Sequence, residues 1–511
     1  MEGFESITQF SYETPNASGS CWTCLSAQIS CSFELPECQQ CVLAGRICAG
    51  YARRLQWPKI TGTTRRRDAG NTQRQHDDSR KGKELVQQAH REQSWSILSS
   101  LSPYGVSSRE SHLLQHYASE YSQVSDFTTP ANGSNIENMA RIALAIDYDG
   151  NVHRSFLPMA MSHRALLNAI FAASSAHLSR WQNKADTSSH RYAIKALVEL
   201  EQSLRDPVVA SSETTLATML CLIGLEVGNG STKWRHHYRG LEEWLRWKGD
   251  TAKLDPFLKS WILLAAYQAA MVFGEEPTPA IHGWLEVEGQ LDVSQEQVID
   301  PFLGYSVKLP GLLLRAASLH RARRNSSMSE HAISLSVSKL QQEIELCKID
   351  CTKPILLASA FQPANLSTAA NTSLCQTDLW KRAAATAEIF RHAAHIYVHR
   401  VNANQGETLP VDIQYSVDEI LNLLTLIPDT RGPGSNLAWP LFTVGLELNS
   451  PELRGMVLDW WQILHLLGME STRKTERVLV ETWRHRDEAK EGRGVAANWQ
   501  EVMRGQEQMV A

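Results

Sequence analysis

Residues 21–48 read CWTCLSAQISCSFELPECQQCVLAGRIC and hold six of the ten cysteines in the chain. A C-x2-C pair followed seven residues later by a lone cysteine occurs twice in this stretch, at Cys21, Cys24 and Cys31 and again at Cys38, Cys41 and Cys48. Each half supplies three thiolates, one fewer than the four that a tetrahedral zinc ion requires. Six sulfurs therefore satisfy two zinc ions if two of the sulfurs are shared.

The composition is that of a chain able to bury a large core. Of 511 residues, 43% are hydrophobic and 21% are charged, and the length predicts two to four domains or one large helical domain with appendages. The formal net charge is −5, so a surface that binds nucleic acid has to be local.

The N-terminal residues MEGFESITQF lack the basic start and apolar stretch of a secretory signal. The longest apolar stretch, residues 165–178, is interrupted by polar side chains, so we expect no membrane span and no membrane partner. Thiols stay reduced inside the cell, and clustered cysteines there indicate a metal site rather than disulfides.

The cysteine pattern resembles the fungal six-cysteine binuclear zinc-cluster transcription regulators. Pro36, Trp22 and the exit segment GYARRLQWP extend the resemblance beyond the cysteines. It implies two zinc ions, with Cys21 and Cys38 bridging them. The first zinc would be bound by Cys21, Cys24, Cys31 and Cys38, and the second by Cys38, Cys41, Cys48 and Cys21. It also implies a nuclear protein whose partner is double-stranded DNA, and a domain in which metal binding and folding are one event.

One segment departs from the family. Between the second and third cysteines the family carries Lys and Arg on a short helix that enters the major groove. Here this reading segment, residues 25–30, is LSAQIS and uncharged, and Arg46 is the only basic residue among residues 1–50. Gln28 is the side chain there that can bond to an adenine edge. Three explanations remain open: a zinc-folded remnant that binds DNA poorly, weak binding through positive charge from elsewhere, and a translation error at an exon boundary.

Residues 51–83 are basic and predicted to be flexible, with ten Lys or Arg against three acidic residues. Arg53 and Arg54 follow the last cysteine closely enough to reach a phosphate backbone. Further basic residues predict a nuclear-import signal or a nucleic-acid patch: Lys59, Arg65, Arg66, Arg67, Arg80, Lys81 and Lys83. The alternative is a soluble linker whose basic residues form neither an import signal nor a nucleic-acid patch.

From Arg109 onward the apolar residues recur at helical spacing, and strand-like alternation is nearly absent. Leu113, Leu114, Tyr117 and Tyr121 share one helix face, and HRALLNAIFAASSAHLSRW predicts a buried central helix. We predict a mostly α fold: a disordered N-terminus (1–20), the zinc cluster (21–48), a basic flexible linker (49–108) and a large all-α regulatory domain (109–511). Looser insertions are expected around 273–330 and 350–377.

Residues 110–505 resemble the fungal-specific regulatory domain found behind such clusters, through ALLNAIFAASSAHLSR, TLATMLCLIGLEVGNGSTKWRHHYRG and GPGSNLAWPLFTVGLEL. The resemblance implies a regulator of RNA polymerase II promoters, including those of a pathway-specific gene cluster, that works with the transcription machinery or another regulator. It implies no catalytic activity. The alternative is an adaptor that does not bind DNA and acts through its helical domain. Target genes, effector and oligomeric state are left open.

Two other patterns have some features of a binding site. His392, His395 and His399 fall on one helical face, but Arg391 and Arg400 beside them disfavour a cation, so interior histidines are the preferred interpretation. The glycine-rich run 432–435 lacks the Lys-Ser/Thr of a phosphate loop, and a turn is predicted there.

Overall fold

The computed structural model describes residues 20–21, 23–24, 27–33, 38–46, 48, 107–118, 159–249, 251, 253–289, 298–350, 356–357, 378–403, 409–430, 432–494 and 498–503. The chain divides into two units, Met1–Gln115 with Leu204–Pro207, and His116–Ser203 with Val208–Ala511. The predicted domain boundaries stay predictions.

Among its described residues the cysteine segment contains the short helix α1 (Gln39–Leu43). Cys38 is its N-cap, and the Cys38 Sγ accepts a hydrogen bond from the Cys41 N–H. The next helix, α2 (Ser108–Ala118), begins with a capping box, because Ser107 Oγ accepts from the Glu110 N–H and the Glu110 carboxylate accepts from the Ser107 N–H. Leu113, Leu114 and Tyr117 are buried, as their spacing predicts, and Tyr121 lies outside the described residues.

Helices then follow one another along the rest of the described chain. In order they are α3 (Arg164–Trp181), α4 (Ser189–Arg205), α5 (Pro207–Ala210), α6 (Glu213–Gly228), α7 (Trp234–Lys248), α8 (Pro256–Phe273), α9 (Pro279–Gly289), α10 (Leu309–Arg324), α11 (Glu330–Glu345), α12 (Asp378–Asn402), α13 (Val411–Leu424), α14 (Ala438–Gly445), α15 (Pro451–His465), α16 (Glu470–Lys490) and α17 (Trp499–Met503). A 3₁₀ turn, Gly432–Asn436, lies where the glycine-rich run predicts a turn. The mostly α fold is confirmed.

Helix α6 is buried on almost all sides, as its apolar sequence requires, and it packs against α3 and α7. Ser212 caps its N-terminus by accepting from the Thr215 N–H. Helix α7 buries Trp234 and Trp244 and ends at Gly249. The φ of Gly249 is 69°, a conformation that glycine adopts without strain. These caps fix where each core helix begins and ends.

The long helix α12 is the centre of the C-terminal half and packs against α10, α11, α13 and α14. Its many alanines allow neighbouring helices to approach closely. Helix α16 packs on α14 and α15. The largest side chains with almost no exposed surface lie throughout this body and include Trp234, Trp244, Trp461, Tyr238, Tyr267, Tyr305, Phe257 and Phe390.

The looser insertion expected around 273–330 is wrong for much of its length, because α9 and α10 both lie within it. Residues 309–324 form α10, a full helix that buries Leu312, Leu313 and Leu314. From the sequence, Pro310 suggests that a helix is interrupted. In the structure it occupies the first turn of α10, where the backbone N–H that proline lacks would have no partner within the helix. Two residue pairs join in a parallel bridge, β1 (Val298–Ile299) with β2 (Leu356–Leu357).

Helix α8 has the length and apolar composition of a membrane span, and it is the one helix among the described residues that does. In the folded chain 61% of it is buried. Asp255 caps its start through the Phe257 and Leu258 N–H groups, and Tyr267 within it receives a hydrogen bond from the Tyr305 hydroxyl. These contacts are those of a core helix.

Candidate metal centre

The six cysteines meet in two overlapping groups of sulfur atoms. The first set is Cys21, Cys24, Cys31 and Cys38, and the second set is Cys21, Cys38, Cys41 and Cys48. Within each set all four sulfurs lie within 4.8 Å of one another. Two sulfurs, those of Cys21 and Cys38, belong to both sets, so six ligand atoms form two groups of four.

The sulfur spacing fits zinc. A tetrahedral ion with Zn–S bonds of about 2.3 Å holds its sulfurs about 3.8 Å apart. The Sγ of Cys38 lies 3.5 Å from the Sγ atoms of Cys21 and Cys24, and the Cys21 and Cys41 Sγ atoms are 3.7 Å apart. Cys21, Cys24, Cys38 and Cys41 have no exposed surface, so water is excluded from these sulfurs. The donor set, its spacing and its burial all suit a zinc–thiolate centre.

The repeat in the sequence is also a repeat in the backbone. The N–H of Cys24 donates to Cys21 Sγ at 3.4 Å, and 17 residues later the N–H of Cys41 donates to Cys38 Sγ at 3.3 Å. In the same way the backbone N–H of Cys21 donates to Cys31 Sγ at 3.3 Å, and the backbone N–H of Cys38 donates to Cys48 Sγ at 3.5 Å. The two shared sulfurs therefore occupy equivalent places in the two halves.

Each half also ends its short helical turn in the same way. The Ala27 N–H donates to Thr23 O, and the Ala44 N–H donates to Gln40 O. The next residue in each half has a positive φ, 53° at Gln28 and 62° at Gly45. Glycine adopts this conformation freely, whereas a residue with a Cβ is strained in it. Gln28 is therefore the strained member of the pair, a feature that the spacing of the cysteines does not reveal.

Ser32 joins the two halves and was not identified from the sequence. Its Oγ accepts from the Gln39 N–H at 2.8 Å and from the Gln40 N–H at 3.4 Å, so it caps the first turn of α1 from the other half of the repeat. Serine is a common cap, but usually from the residue next to its helix. A cap seven residues upstream leaves no local signal in the sequence.

Crowding of the sulfurs changes their acidity. Burial raises the pKa of the Cys24 thiol to about 12 and also raises the pKa of Cys21 and Cys41. Burial acts the same way on Cys38, but the Cys41 N–H and the neighbouring thiols stabilise its thiolate and lower its pKa to about 6. The three sulfurs with a raised pKa thus favour the protonated form without a cation, and metal binding must release their protons.

The reading segment faces solvent in the part that the structure describes. Ala27, Gln28, Ile29 and Ser30 are exposed, and 39% of the Ile29 surface is accessible. Gln28 is accessible to a partner, but no DNA is present, so its contact with DNA stays a prediction. Arg53 and Arg54, and the predicted import residues Lys59, Arg65, Arg66, Arg67, Arg80, Lys81 and Lys83, lie outside the described residues.

The histidines of α12 form a hydrogen-bond network instead of a metal site. His392 Nδ1 and His395 Nδ1 each lie 3.1 Å from Ser416 Oγ, and the Arg391 guanidinium donates to His392 Nε2. Burial and the Arg391 charge lower the pKa of His392 to about 3, so it is neutral. Within the described ranges, the groups of ligand atoms close enough to hold a metal are the two cysteine sets.

Six cysteine sulfurs arranged to hold metal ions, in a chain whose other described residues are mostly helical, define a metal-binding α-helical protein. A family model described as the fungal specific transcription factor domain matches residues 112–510. A second, described as the fungal Zn(2)-Cys(6) binuclear cluster domain, matches residues 19–58. No curated protein and no solved structure matches the chain.

The chain belongs to the fungal specific transcription factor domain family, and it carries a binuclear cluster domain, which binds two zinc ions. It is a fungal transcription regulator with a DNA-binding class of zinc domain. Both families are transcription factor domains and neither is a family of enzymes.

Proposed function

We propose that this nuclear protein is a zinc-dependent regulator of RNA polymerase II promoters and that its target genes form a pathway-specific cluster. The observation that carries the zinc dependence is the membership of Cys21 and Cys38 in both sulfur sets. Neither half of the cysteine repeat has four sulfurs of its own, so neither closes around a metal alone. The proposal that the target genes form a pathway-specific cluster rests on the family resemblance.

The ligand assignment follows the two sets. One zinc takes Cys21, Cys24, Cys31 and Cys38, and the other takes Cys21, Cys38, Cys41 and Cys48. When bound, zinc supplies the cross-link that stands in for a hydrophobic core in so short a segment. The N–H groups of Cys24 and Cys41 donate to the two bridging sulfurs and orient them. Ser32 fixes the start of α1 against the first half.

Direct DNA binding is the first candidate activity of this module. Gln28 faces solvent and carries an amide that can pair with an adenine edge. We propose Arg53 and Arg54 as phosphate contacts, and the basic residues from Lys59 to Lys83 as the import signal or a further nucleic-acid patch. In this arrangement the phosphate charge is met by the segment after the cluster, since the described reading segment has no charge to offer.

The second candidate is an adaptor that reaches promoters through another regulator. The exposed residues 27–30 of the reading segment carry no charge, and α1 exposes Val42 and Leu43. An uncharged and partly apolar surface suits a protein partner better than a phosphate backbone. The helical body would then supply the contact with the other regulator.

A salt series separates the two candidates. The full-length zinc-loaded protein is titrated against labelled promoter DNA from about 50 to about 200 mM salt. Each phosphate contact adds about −0.9 to the slope of log affinity against log salt concentration. A direct binder that uses Arg53 and Arg54 has a slope of about −2 or steeper, and the double variant Arg53→Gln, Arg54→Gln flattens it by about 2.

The matched control is Lys253→Gln in the helical body, which leaves the slope unchanged. A slope near zero, with equal affinity for promoter and unrelated DNA, contradicts direct binding and supports the adaptor. Retention of DNA binding after zinc is removed by a chelator contradicts the zinc dependence.

A further inference from the structure

A cavity of about 630 Å³ lies within the helical body, between the C-terminal ends of α8 and α10, the second half of α12, and helices α14 and α17. This volume is in the range of pockets that hold a small molecule. The metal centre and the proposed DNA contacts use none of its residues.

The cavity has aromatic walls. Tyr397 and Trp439 meet nearly edge to face, with ring centroids 6.3 Å apart, and Phe442 and Trp499 meet at 90° with centroids 5.5 Å apart. Tyr397 also contacts the His320 ring, with centroids 4.8 Å apart, and Trp439 stacks on Phe390 at 5.8 Å, so the rings hold one another in place around the cavity. A planar group that enters the cavity would meet aromatic side chains on several sides. The walls therefore suit a flat apolar molecule.

Most charges around the cavity are already satisfied. Arg400 and Glu447 form a buried bidentate pair on its floor. Arg323 donates to Val401 O at 2.8 Å and lies 3.7 Å from the Glu330 carboxylate. Each of these groups has a partner of opposite charge, so none of them demands a charged ligand.

The remaining carboxylate at the rim is also engaged. Glu501 Oε2 accepts from the Asn498 N–H at 3.0 Å while Asn498 Oδ1 accepts from the Glu501 N–H at 2.9 Å. This reciprocal capping box at the start of α17 occupies the Glu501 side chain. Among the described residues that line the cavity, one arginine has no carboxylate partner.

That side chain is Arg324 at the end of α10. Among the described residues it makes no hydrogen bond and no ion pair, whereas Arg321 in the same turn pairs with Glu276. His320 lies one turn before Arg324 on the same helix face and donates through Nε2 to Tyr397 O. Burial and the nearby guanidiniums lower the pKa of His320 to about 4, so its Nδ1 is a neutral acceptor.

We propose that this cavity binds a small organic anion with a planar apolar body. Arg324 holds the acidic group, the rings of Tyr397, Trp439, Phe442 and Trp499 enclose the flat body, and His320 Nδ1 accepts from a donor on the ligand. The proposal deepens the proposed function, because such a ligand would be the input that a regulatory domain receives. Its test involves neither DNA nor zinc, so the two ideas fail separately.

The test uses the full-length chain and two fluorescent probes that differ in one charge. Anilinonaphthalene sulfonate is an aromatic anion with a flat naphthalene ring system, and phenylnaphthylamine has the same rings without the sulfonate. Both are titrated into the native protein, Arg324→Gln, Arg315→Gln and Trp499→Ala. Arg315 is the control, because it is on the same helix but pairs with Glu343 at an exposed site.

We expect one high-affinity anion site per chain, and about tenfold weaker binding of the anionic probe to Arg324→Gln. Phenylnaphthylamine binds Arg324→Gln and the native chain equally, Arg315→Gln resembles the native chain, and Trp499→Ala weakens both probes. Thermal unfolding of each variant monitors the fold. Equal affinity of the anionic probe for Arg324→Gln and the native chain overturns the proposal, as does undiminished binding of both probes by a folded Trp499→Ala.

Discussion

Gln28 and Gly45 stand at equivalent points of the two halves of the cysteine module, and both have a positive φ. An L side chain at such a φ is strained by about 1 kcal/mol, while glycine is not. A Cβ placed at Gly45 would meet no atom within 4 Å, so its backbone conformation is the only obstacle to substitution.

We therefore predict opposite effects of two substitutions on the zinc-loaded module. Gln28→Gly should raise its stability by about 0.5 kcal/mol, because released strain exceeds the added chain entropy. Gly45→Ala should lower it by about 1 kcal/mol. The measurement is the chelator concentration at which half of the zinc is lost, compared with the native chain. Changes of the same sign in both variants contradict the structural equivalence of the two halves.

At this scale the sequence predicts the ligand types but not their surroundings. The spacing of the cysteines is enough to require two shared sulfurs, because three sulfurs per half cannot complete a tetrahedron. The strain at Gln28 and the cap from Ser32 depend on how the halves pack. The same is true of Ser416, which contacts His392 and His395 from another helix and has no motif spacing to them.

Among the elements, the 3₁₀ turn Gly432–Asn436 is the place where a side chain fits least. A Cβ at Gly434 would lie 2.1 Å from Asp429 O and 3.1 Å from an Ile427 methyl carbon. The backbone oxygen cannot move away without moving the turn, and Arg382 holds Asp429 in place through its carboxylate at 2.6 Å. The close approach explains why glycine stands there.

We predict that Gly434→Ala lowers the free energy of unfolding by more than about 2 kcal/mol. The matched control is Gly455→Ala in α15, where a Cβ meets nothing within 4 Å. This second change should raise the free energy of unfolding by about 1 kcal/mol, because alanine favours a helix. Urea denaturation followed by circular dichroism gives both values. Equal stability of the Gly434→Ala and native chains would show that the turn is looser than described.

Helices with caps and strong periodicity could be predicted from the sequence, and those without could not. Helix α7 follows from its apolar spacing and its end at Gly249. Helix α10 is not predicted from the sequence, because Pro310 and Gly311 in its first turn suggest a loop. Its buried residues all lie toward its N-terminal end, so no amphipathic pattern runs along the whole helix. Position in the sequence alone does not distinguish a proline that starts a helix from one that breaks it.

Several histidines of the described helical body are neutral in the folded chain. Burial is the main cause that lowers the pKa to about 4 at His177, His237 and His320 and to about 3 at His392. His177 shows why the neutral form is held: Leu467 O accepts from Nε2, and Nδ1 accepts from His116. A proton on His177 Nδ1 would break the second bond.

The fold should therefore lose stability in mild acid. Between pH 6.5 and pH 4 these histidines bind protons in the unfolded chain but not in the folded one, so the free energy of unfolding falls as the pH falls. The loss is about 2 kcal/mol per buried histidine at pH 5. Glu242 opposes it, since burial raises its pKa to about 7, and burial also raises the pKa of Asp255, Asp300 and Glu476. Burial lowers the pKa of five further histidines, which add to the loss: His163, His236, His395, His399 and His465.

Urea denaturation of the helical body at pH 7, 6 and 5 measures this dependence. His177→Gln should reduce the slope by the share of one histidine, while His331→Gln at an exposed site of α11 leaves it unchanged. A free energy of unfolding that stays constant from pH 7 to pH 5 contradicts the description of these histidines as buried and neutral.

Six sulfurs can hold two metal ions because Cys21 and Cys38 each belong to both sets. Native mass spectrometry of the full-length chain counts the bound zinc directly. We expect two zinc ions per chain, loss of both in Cys21→Ala, and no change in Cys221→Ser, since Cys221 is buried in α6. A native chain that carries one zinc or none, or a Cys21→Ala chain that still carries two, would contradict this sharing of the two sulfurs.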